Sequence, residues 1–167
     1  MNVEFTTPLD EKRGIIASLL RLAYAELVKI DPALWESEQS RWTQYDDEVF
    51  GQPRTVGACV FLTRVDGRIV GFGSWDPRQE PRFGIIGHNC ILPEFRGRGL
   101  GRQQIKEILR RFCEMRIETA KVSTRDHPFF VPAQRMYEAC GFREVRRIPS
   151  GCDPRQKTIE YEKEIDT

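Results

Sequence analysis

A loop rich in glycine and arginine is the segment of this sequence best suited to chemistry. It runs Arg96-Gly97-Arg98-Gly99-Leu100-Gly101 and is followed by Arg102. An amphipathic stretch begins directly after it, so the loop is predicted to open a helix. A helix start leaves about four backbone N–H groups without partners and carries partial positive charge. Glycines let an anion approach those groups closely, and arginines add cationic donors, so we expect the loop to hold a diphosphate.

The glycine spacing in this loop differs from two common nucleotide-binding motifs. No G-x-x-x-x-G-K-S/T segment occurs, so a P-loop NTPase is not indicated. The pattern is also not G-x-G-x-x-G, and no run of βαβ units follows, which argues against a dinucleotide fold. Taken alone, the loop leaves open a plainer interpretation, which is a flexible and solvated entry to a helix.

A second segment agrees with the first, and together they resemble the GNAT acetyltransferases. The central signature of that family is Arg or Gln, two residues, Gly, one residue, then Gly or Ala, placed after a strand that ends in a proline. The matching residues here are Pro93 and Arg96-x-x-Gly99-x-Gly101, and then Ala133-x-x-x-Tyr137-x-x-x-Gly141-Phe142 for the family's late helix. The specific part of the resemblance spans Phe83–Arg143. It implies an N-acetyltransferase that uses acetyl-CoA, without a metal, to acetylate a primary amine.

The resemblance also assigns residues to the cofactor. The backbone of Asn89, Cys90 and Ile91 would bind the pantetheine arm at a strand edge opened by a bulge, where main-chain groups lack partners. The N–H groups of Gly97 to Arg102 would hold the pyrophosphate. Phe130 stands where the family often has an asparagine, so packing of Phe130 against CoA is the alternative there.

For the acid, the resemblance points to Tyr137. A phenol has a reference pKa near ~10, which suits donation of a proton to a departing thiolate of similar basicity. Another interpretation is that Tyr137 is an ordinary helix residue that packs beneath Phe142.

The base stays open. The family often places it on the central strand, an even number of residues before Ile91, but that spacing selects Asn89, Gly87 and Ile85, none of which is a base. His88 is one step off and should face the other way unless a bulge shifts the alternation. The remaining candidates are a water chain and the side chains of Asp126, His127, Asp76 and Glu94.

The acceptor is expected to lie against the first helices and the central strands. Those regions supply Trp35, Trp42, Tyr45, Asp46, Asp47, Trp75 and Asp76. Aromatic walls with carboxylates suit a cationic amine, and the strand-end pair Trp75-Asp76 is the best candidate for specificity. Alternatively, the tryptophans cover the edge of the core and the acids are solvated.

The elements that must position these residues follow a mixed order. Strands are predicted at Asn2–Thr6, Val56–Val65, Arg68–Trp75, Phe83–Leu92, Thr119–Thr124, Phe142–Ile148 and Lys157–Glu164. The predicted helices are Glu11–Ile30, an irregular one over Ala33–Phe50, one after Gly101, and Pro132–Cys140. Asp66-Gly67 is typical of a hairpin turn, and Gln79–Arg82 is expected to be a loop. The fold class is therefore α/β (α+β), with a mostly antiparallel central sheet and about four helices, in a single domain over residues 1–167.

Composition narrows the partners. The 167 residues carry 26 basic and 25 acidic side chains, a net charge of +1 that disfavours nucleic acid. No stretch approaches the ~20 apolar residues that cross a bilayer, and no signal peptide is visible, so we expect no membrane and a cytoplasmic protein. The five cysteines show no C-x-x-C pair, which argues against a disulfide framework or a zinc site. They are Cys59, Cys90, Cys113, Cys140 and Cys152.

Two other functions remain in competition with N-acetyl transfer. A non-catalytic acyl-CoA-binding module would keep the loop without turnover; the missing base favours it and Tyr137 opposes it. An arginine-loop nucleic-acid binder is disfavoured because few aromatic residues interleave with the arginines. The sequence leaves a homodimer open.

Overall fold

The computed structural model describes residues 1–78, 82–151 and 153–166, so Cys152 and most of the loop predicted over Gln79–Arg82 lie outside the described residues. The strands are β1 (Val3–Thr6), β2 (Val60–Val65), β3 (Arg68–Trp75), β4 (Phe83–Ile91), β5 (Thr119–Arg125), β6 (Arg143–Pro149) and β7 (Lys157–Glu164). The α-helices are α1 (Ile15–Ala23), α2 (Ala25–Ile30), α3 (Pro32–Gly51), α4 (Leu100–Glu114) and α5 (Val131–Ala139).

The seven strands form one sheet in the order β1-β2-β3-β4-β5-β7-β6. Every neighbouring pair is antiparallel except β4 with β5, so the predicted mostly antiparallel sheet is confirmed. β2 and β3 meet at the predicted hairpin, where Asp66 and Gly67 have φ of 47° and 83°. Positive φ at both central residues suits the right-handed twist of the flanking strands.

The sheet opens between its two parallel strands. β4 pairs with β5 only over Phe83–Ile85, and the partners are Thr119–Lys121. Beyond that point β5 continues along β7, while the β3–β4 register shifts between Gly73 and Trp75. Within this irregularity the His88 N–H donates to Ser74 Oγ at 2.8 Å. The parallel strands therefore splay apart and leave a gap in the middle of the sheet.

The first predicted helix, Glu11–Ile30, is wrong as a single element because it starts later and is broken. Its start is fixed by Asp46, a buried carboxylate that accepts the N–H groups of Gly14, Ile16 and Ala17 at 2.8, 2.9 and 3.1 Å. These are among the donors that a helix start leaves without partners. Asp46 thus caps α1 from a distant part of the chain.

The break between α1 and α2 falls at Tyr24, whose φ and ψ are −106° and 11°. The Ala23 carbonyl accepts Arg96 Nη2 at 2.6 Å. The Tyr24 ring stacks on Trp35 and Trp42, with ring centroids 5.8 and 5.7 Å away. Hydrogen bonding on one side and aromatic packing on the other hold a kink that the apolar spacing alone does not indicate.

The second helix, predicted as irregular, is the regular 20-residue helix α3. Its residues look irregular in sequence because the buried stripe is narrow. Trp35, Trp42 and Val49 recur every seven residues, or about two turns, and the positions between them are mostly polar. The Asp31 side chain caps the start by accepting the Leu34 N–H at 3.3 Å.

The core lies on both faces of the sheet. Helices α1 to α3 pack against one face, and α4 packs against the other through Ile105, Ile108 and Phe112. Buried Gln104 bonds α4 to the sheet, since its amide donates to Thr63 Oγ1 at 2.7 Å and to the Cys90 carbonyl at 3.2 Å. Across the described part of the chain, no helix is long and apolar enough to span a membrane.

Candidate functional site

A cleft of ≈ 320 Å³ lies beside the splayed end of β4, and we call it the cofactor cleft. It brings together nine of the ten residues predicted for the cofactor, which are Asn89, Cys90, Ile91, Arg96, Gly97, Gly99, Leu100, Gly101 and Arg102. Arg98 is not among its lining residues. Helix α5 and the α1–α2 break close the opposite wall, and Phe129 and Phe130 contribute aromatic surface.

The loop before α4 has the geometry of an anion cradle. Gly97 and Gly99 have φ of 74° and 77°, in the left-handed region that favours glycine, and Gly99 is the N-cap of α4. A Cβ built on either glycine would meet nothing within 4 Å, so the loop borders open space. At Gly101 a Cβ would come 2.8 Å from Met136 Sδ, in the cleft wall. These residues fit the diphosphate of a nucleotide cofactor.

Two of the three arginines, Arg96 and Arg98, contribute less to this cradle than the sequence predicts. Arg96 donates from Nε to the Ile91 carbonyl at 3.1 Å and from Nη2 to the Ala23 carbonyl at 2.6 Å. Arg98 donates to the Glu94 carbonyl at 3.1 Å. These guanidinium groups therefore satisfy main-chain carbonyls, and the cradle offers chiefly backbone N–H groups.

The edge of β4 supplies the main-chain groups expected for the pantetheine arm. The Leu92 N–H donates to the Val70 carbonyl at 2.8 Å, and hydrogen-bonded pairs alternate along antiparallel strands. By this alternation Cys90 faces β3, whereas Asn89 and Ile91 direct their backbone groups into the gap left by β5. The Ile91 carbonyl is already taken by Arg96, which leaves its N–H and both groups of Asn89.

A second cleft, of ≈ 240 Å³, lies in the gap between β4 and β5, and we call it the transfer cleft. Tyr137, His88 and Arg125 line it. It meets the cofactor cleft at residues that line both clefts, which are Tyr24, Asn89, Phe130 and Ala133. A group carried at the inner end of the cofactor cleft would therefore reach the wall formed by Tyr137.

Tyr137 combines the two roles considered for it. Only 5% of the residue is exposed, and its ring packs against Phe142 and Tyr161 at centroid distances of 6.0 and 5.8 Å. Burial raises the pKa of Tyr137 well above its ordinary value, so the phenol keeps its proton at neutral pH. Packing beneath Phe142 thus holds a protonated donor at the edge of the transfer cleft.

Tyr24 is a second phenol that the sequence does not single out. It lies at the helix break where the two clefts meet, and burial raises its pKa as well. In sequence it belongs to an apparently continuous helix, and no motif marks it. Its position depends on the kink held by Arg96, which connects residues far apart in the chain.

Of the candidate bases, His88 lines the transfer cleft. Its ring contacts Tyr45 and Phe72 at centroid distances of 5.0 and 5.5 Å. Burial lowers the pKa of His88 to about 4, so the imidazole is neutral at physiological pH but weakly basic.

Asp126 and His127 hold local structure instead. Asp126 Oδ1 accepts the Lys157 N–H at 2.7 Å at the start of β7. His127 Nδ1 accepts the Phe129 N–H at 3.1 Å and caps a short helical turn. Neither lines the transfer cleft.

The predicted specificity pair lies elsewhere. Trp75 is 6% exposed and packs edge-on against Phe112 beneath α4, at a centroid distance of 6.2 Å. The Asp76 carboxylate accepts the Arg78 N–H at 2.8 Å and the Arg78 guanidinium at 3.2 Å, and these hydrogen bonds lower the pKa of Asp76. Neither residue lines the cofactor cleft or the transfer cleft. The other predicted acids are also engaged, since Asp46 caps α1 and Asp47 pairs with an exposed arginine. Among the described residues, the predicted acids Asp46, Asp47 and Asp76 therefore line neither the cofactor cleft nor the transfer cleft.

Comparison with known proteins agrees with this geometry. Residues 24–142 match the model of the acetyltransferase (GNAT) family. A search of curated protein sequences finds no match.

Solved structures share the fold at low sequence identity. A GNAT-family protein from Desulfovibrio desulfuricans is 18% identical with a TM-score of 0.72, and the match covers 99% of both chains. An aminoglycoside 6'-N-acetyltransferase complexed with coenzyme A is 14% identical with a TM-score of 0.70, over 100% of this chain and 98% of that one. Ard1 from Thermoplasma volcanium is 18% identical with a TM-score of 0.69, over 99% and 98%.

Proposed function

Because the chain belongs to the acetyltransferase (GNAT) family and is an acetyl-CoA-dependent acyltransferase, we propose that it acetylates a primary amine by direct attack, with Tyr137 as general acid. The observation that carries this proposal is the meeting of the two clefts, one bordered by the glycine cradle and the other by a buried, protonated phenol. A fold neighbour named as an N-acetyltransferase supports an amine as the acceptor.

Two parts of the cofactor cleft would bind different parts of acetyl-CoA. The N–H groups of Gly97 to Arg102 would bind the diphosphate, and the free main-chain groups of Asn89 and Ile91 would bind the pantetheine arm. When bound, acetyl-CoA supplies an activated thioester. The chain's own contribution is to hold that thioester where the clefts meet and to keep the amine on the other side of it.

The Tyr137 hydroxyl would protonate the departing sulfur. As the amine nitrogen bonds to the carbonyl carbon, the carbon–sulfur bond breaks and the sulfur takes the phenolic proton. The nitrogen releases its surplus proton to solvent, and Tyr137 recovers a proton from solvent. Burial raises its pKa, which keeps the phenol protonated but makes it a weaker acid, so the proton moves only as negative charge develops on the sulfur.

The amine is better deprotonated in bulk solvent before it binds than by His88 inside the cleft. An ammonium group has a pKa near ~10, so transfer to an imidazole with a pKa of about 4 is uphill by about six units, or ~8 kcal/mol. Direct transfer from the ammonium is therefore too costly. We propose that the amine is deprotonated by solvent and that His88 contributes a neutral wall to the cleft.

Replacement of Tyr137 by phenylalanine tests the acid. Tyr137→Phe should lower kcat by roughly 10²–10⁴ in an assay of thiol release, with little change in acetyl-CoA affinity measured by calorimetry. Tyr161→Phe is the matched control, since Tyr161 is a buried tyrosine that packs against the Tyr137 ring but borders neither cleft. Tyr24→Phe measures whether the second phenol contributes to proton donation. Wild-type turnover of Tyr137→Phe under chemistry-limited conditions would remove Tyr137 from the mechanism.

One observation favours the alternative of a non-catalytic acyl-CoA-binding module. Among the candidate bases, His88 is weakly basic, Asp126 and His127 are engaged in local hydrogen bonds, and Asp76 is bonded to Arg78. Micromolar binding of acetyl-CoA without thiol release from any of a broad amine panel would establish that alternative.

A further inference from the structure

Arg125 is the one cationic side chain among the described residues that line the transfer cleft. It is the last residue of β5, where the strand has parted from β4, and it lines the cleft together with Tyr137. Its guanidinium carbon lies 4.9 Å from the centre of the Trp35 ring. Its Nη1 is buried, yet it has no hydrogen-bond partner among the residues that the structure describes. A buried charged donor without a partner is costly, and Arg125 borders the transfer cleft, so an anion bound there would supply the missing acceptor.

The carboxylate of Asp153, near Arg125, is already hydrogen-bonded to other residues. No described carboxylate lies within ion-pair distance of Arg125. Asp153 is close enough for Arg125 to contribute to its lowered pKa, but the larger cause is hydrogen bonding from Arg155. That arginine donates to Asp153 from its backbone N–H at 3.0 Å and from Nε and Nη2 at 2.8 Å each. Gln156 occupies the same carboxylate at 3.3 Å. Asp153 is therefore already hydrogen-bonded to Arg155 and Gln156 and forms no ion pair with Arg125.

The rest of the transfer cleft suits a small anion-bearing molecule. Hydroxyl-bearing residues line it, namely Ser123, Thr124 and Thr158, and no acidic residue occurs among its described lining residues. Its ≈ 240 Å³ is below the usual ~300–1,000 Å³ of drug-sized pockets, which favours a small acceptor. A guanidinium group presents a planar fork that matches a carboxylate.

We infer that the acceptor is a small amine that also carries a carboxylate, and that Arg125 binds this carboxylate while the amine faces Tyr137. The inference rests on the proposed function in placing the acceptor in the transfer cleft. It replaces the cationic acceptor expected from Trp75 and Asp76, because the charge in this cleft is positive and those residues border neither cleft.

Binding of products tests the inference without turnover. The probes are the N-acetyl derivatives of glycine, alanine, leucine and phenylalanine, each compared with its carboxamide by calorimetry on CoA-saturated protein. At least one acid should bind about ten- to a hundred-fold tighter than its amide, which is the usual value of a hydrogen-bonded charge pair. Arg125→Gln should remove this preference, and Arg125→Lys should retain part of it. Arg135→Gln, an exposed arginine of α5, is the matched control and should leave the preference unchanged.

The results separate a ligand-binding role from a structural one. Equal affinity for acid and amide in every pair would overturn the inference, and this comparison needs no variant that might fail to fold. An Arg125→Gln protein that melts earlier but keeps the acid preference would also overturn it, because Arg125 would then only support Trp35. Tighter binding of O-phosphoethanolamine than of ethanolamine, with no preference for acid over amide in any pair, would also overturn the inference. It would show that the cleft binds a phosphate and not a carboxylate.

Turnover measured in parallel distinguishes this inference from the proposed function. Thiol release with free amino acids should exceed release with their amides. The amides are the less basic amines, so ionisation alone would favour them. Efficient acetylation of amines that carry no carboxylate, with no dependence on Arg125, would leave the proposed function standing and refute the inference. Arg125-dependent binding of carboxylates with no turnover would support the carboxylate site and refute amine acetylation.

Discussion

A change of charge at Gly99 tests the cradle most directly. Gly99 is the N-cap of α4 in a left-handed conformation, and a Cβ there would border open space. Asparagine and aspartate are the side chains that tolerate this conformation best, and they have nearly the same shape. Gly99→Asn and Gly99→Asp therefore share any steric or backbone effect and differ in one negative charge.

The size of the charge effect follows from Coulomb's law. A carboxylate about 4 Å from a diphosphate that carries about two charges costs about 2 kcal/mol even in a water-like medium. That is about thirty-fold in affinity. The same carboxylate at a helix N-cap interacts favourably with the helix start, so the variant should remain folded.

Calorimetric titration with CoA gives the answer. Gly99→Asp should bind about thirty-fold more weakly than Gly99→Asn, and the gap should narrow at high salt because the charges are screened. Gly67→Asp is the control for backbone strain, since Gly67 has φ of 83° and open space around it in the β2–β3 turn. Its CoA affinity should equal that of the wild type. Equal affinity of Gly99→Asp and Gly99→Asn at low salt would refute the diphosphate cradle.

Other predictions concern pH and the packing of α1. The value of kcat/KM should rise with pH towards the pKa of the amine without an inflection near pH 6.5, because burial keeps His88 neutral above a pKa of about 4; an inflection that His88→Gln abolishes would identify His88 as the base. Between pH 7 and 4 the wild type should lose about 3 kcal/mol of unfolding free energy relative to His88→Gln, since the unfolded chain binds a proton below pH ~6.5 and the folded chain does so only near 4. Parallel stability curves in urea would contradict this. Asp46→Asn should lower the unfolding free energy by about 2–3 kcal/mol, because it replaces an acceptor of three N–H groups. Asp47→Asn, at an exposed ion pair, should lose under about 1 kcal/mol, and equal losses would show that the cap does not stabilise α1.

Local pattern was sufficient where local chemistry decides the structure. The strands Arg68–Trp75 and Lys157–Glu164 occur with their predicted bounds, because alternation and turn residues lie within each segment. The loop before α4 and the helix that carries Tyr137 were also predictable. In both cases glycines mark a helix end, and the apolar spacing marks the buried face.

Residue type alone did not predict a side chain's role where its partners come from distant parts of the chain. Asp46 was expected near the acceptor, but it caps a helix about thirty residues earlier. Trp75 was expected in a cleft, but the bulged pairing of its strand turns it beneath α4. No sequence signal marks Arg125, because nothing in the neighbouring residues indicates that its donors lack partners in the folded chain. Which charges remain free is a property of the folded chain.

Arg96 shows how a cofactor motif can act through structure. Its guanidinium bonds the Ile91 carbonyl at the end of β4 and the Ala23 carbonyl at the α1–α2 break. It therefore links the cradle loop to Tyr24, where the two clefts meet. The signature allows arginine or glutamine at this position, and both side chains donate N–H groups although only one is charged. That choice suits a residue that satisfies main-chain carbonyls better than one that neutralises phosphate. The diphosphate is then left to the backbone of Gly97 to Arg102, and it is there that a single added carboxylate should be felt.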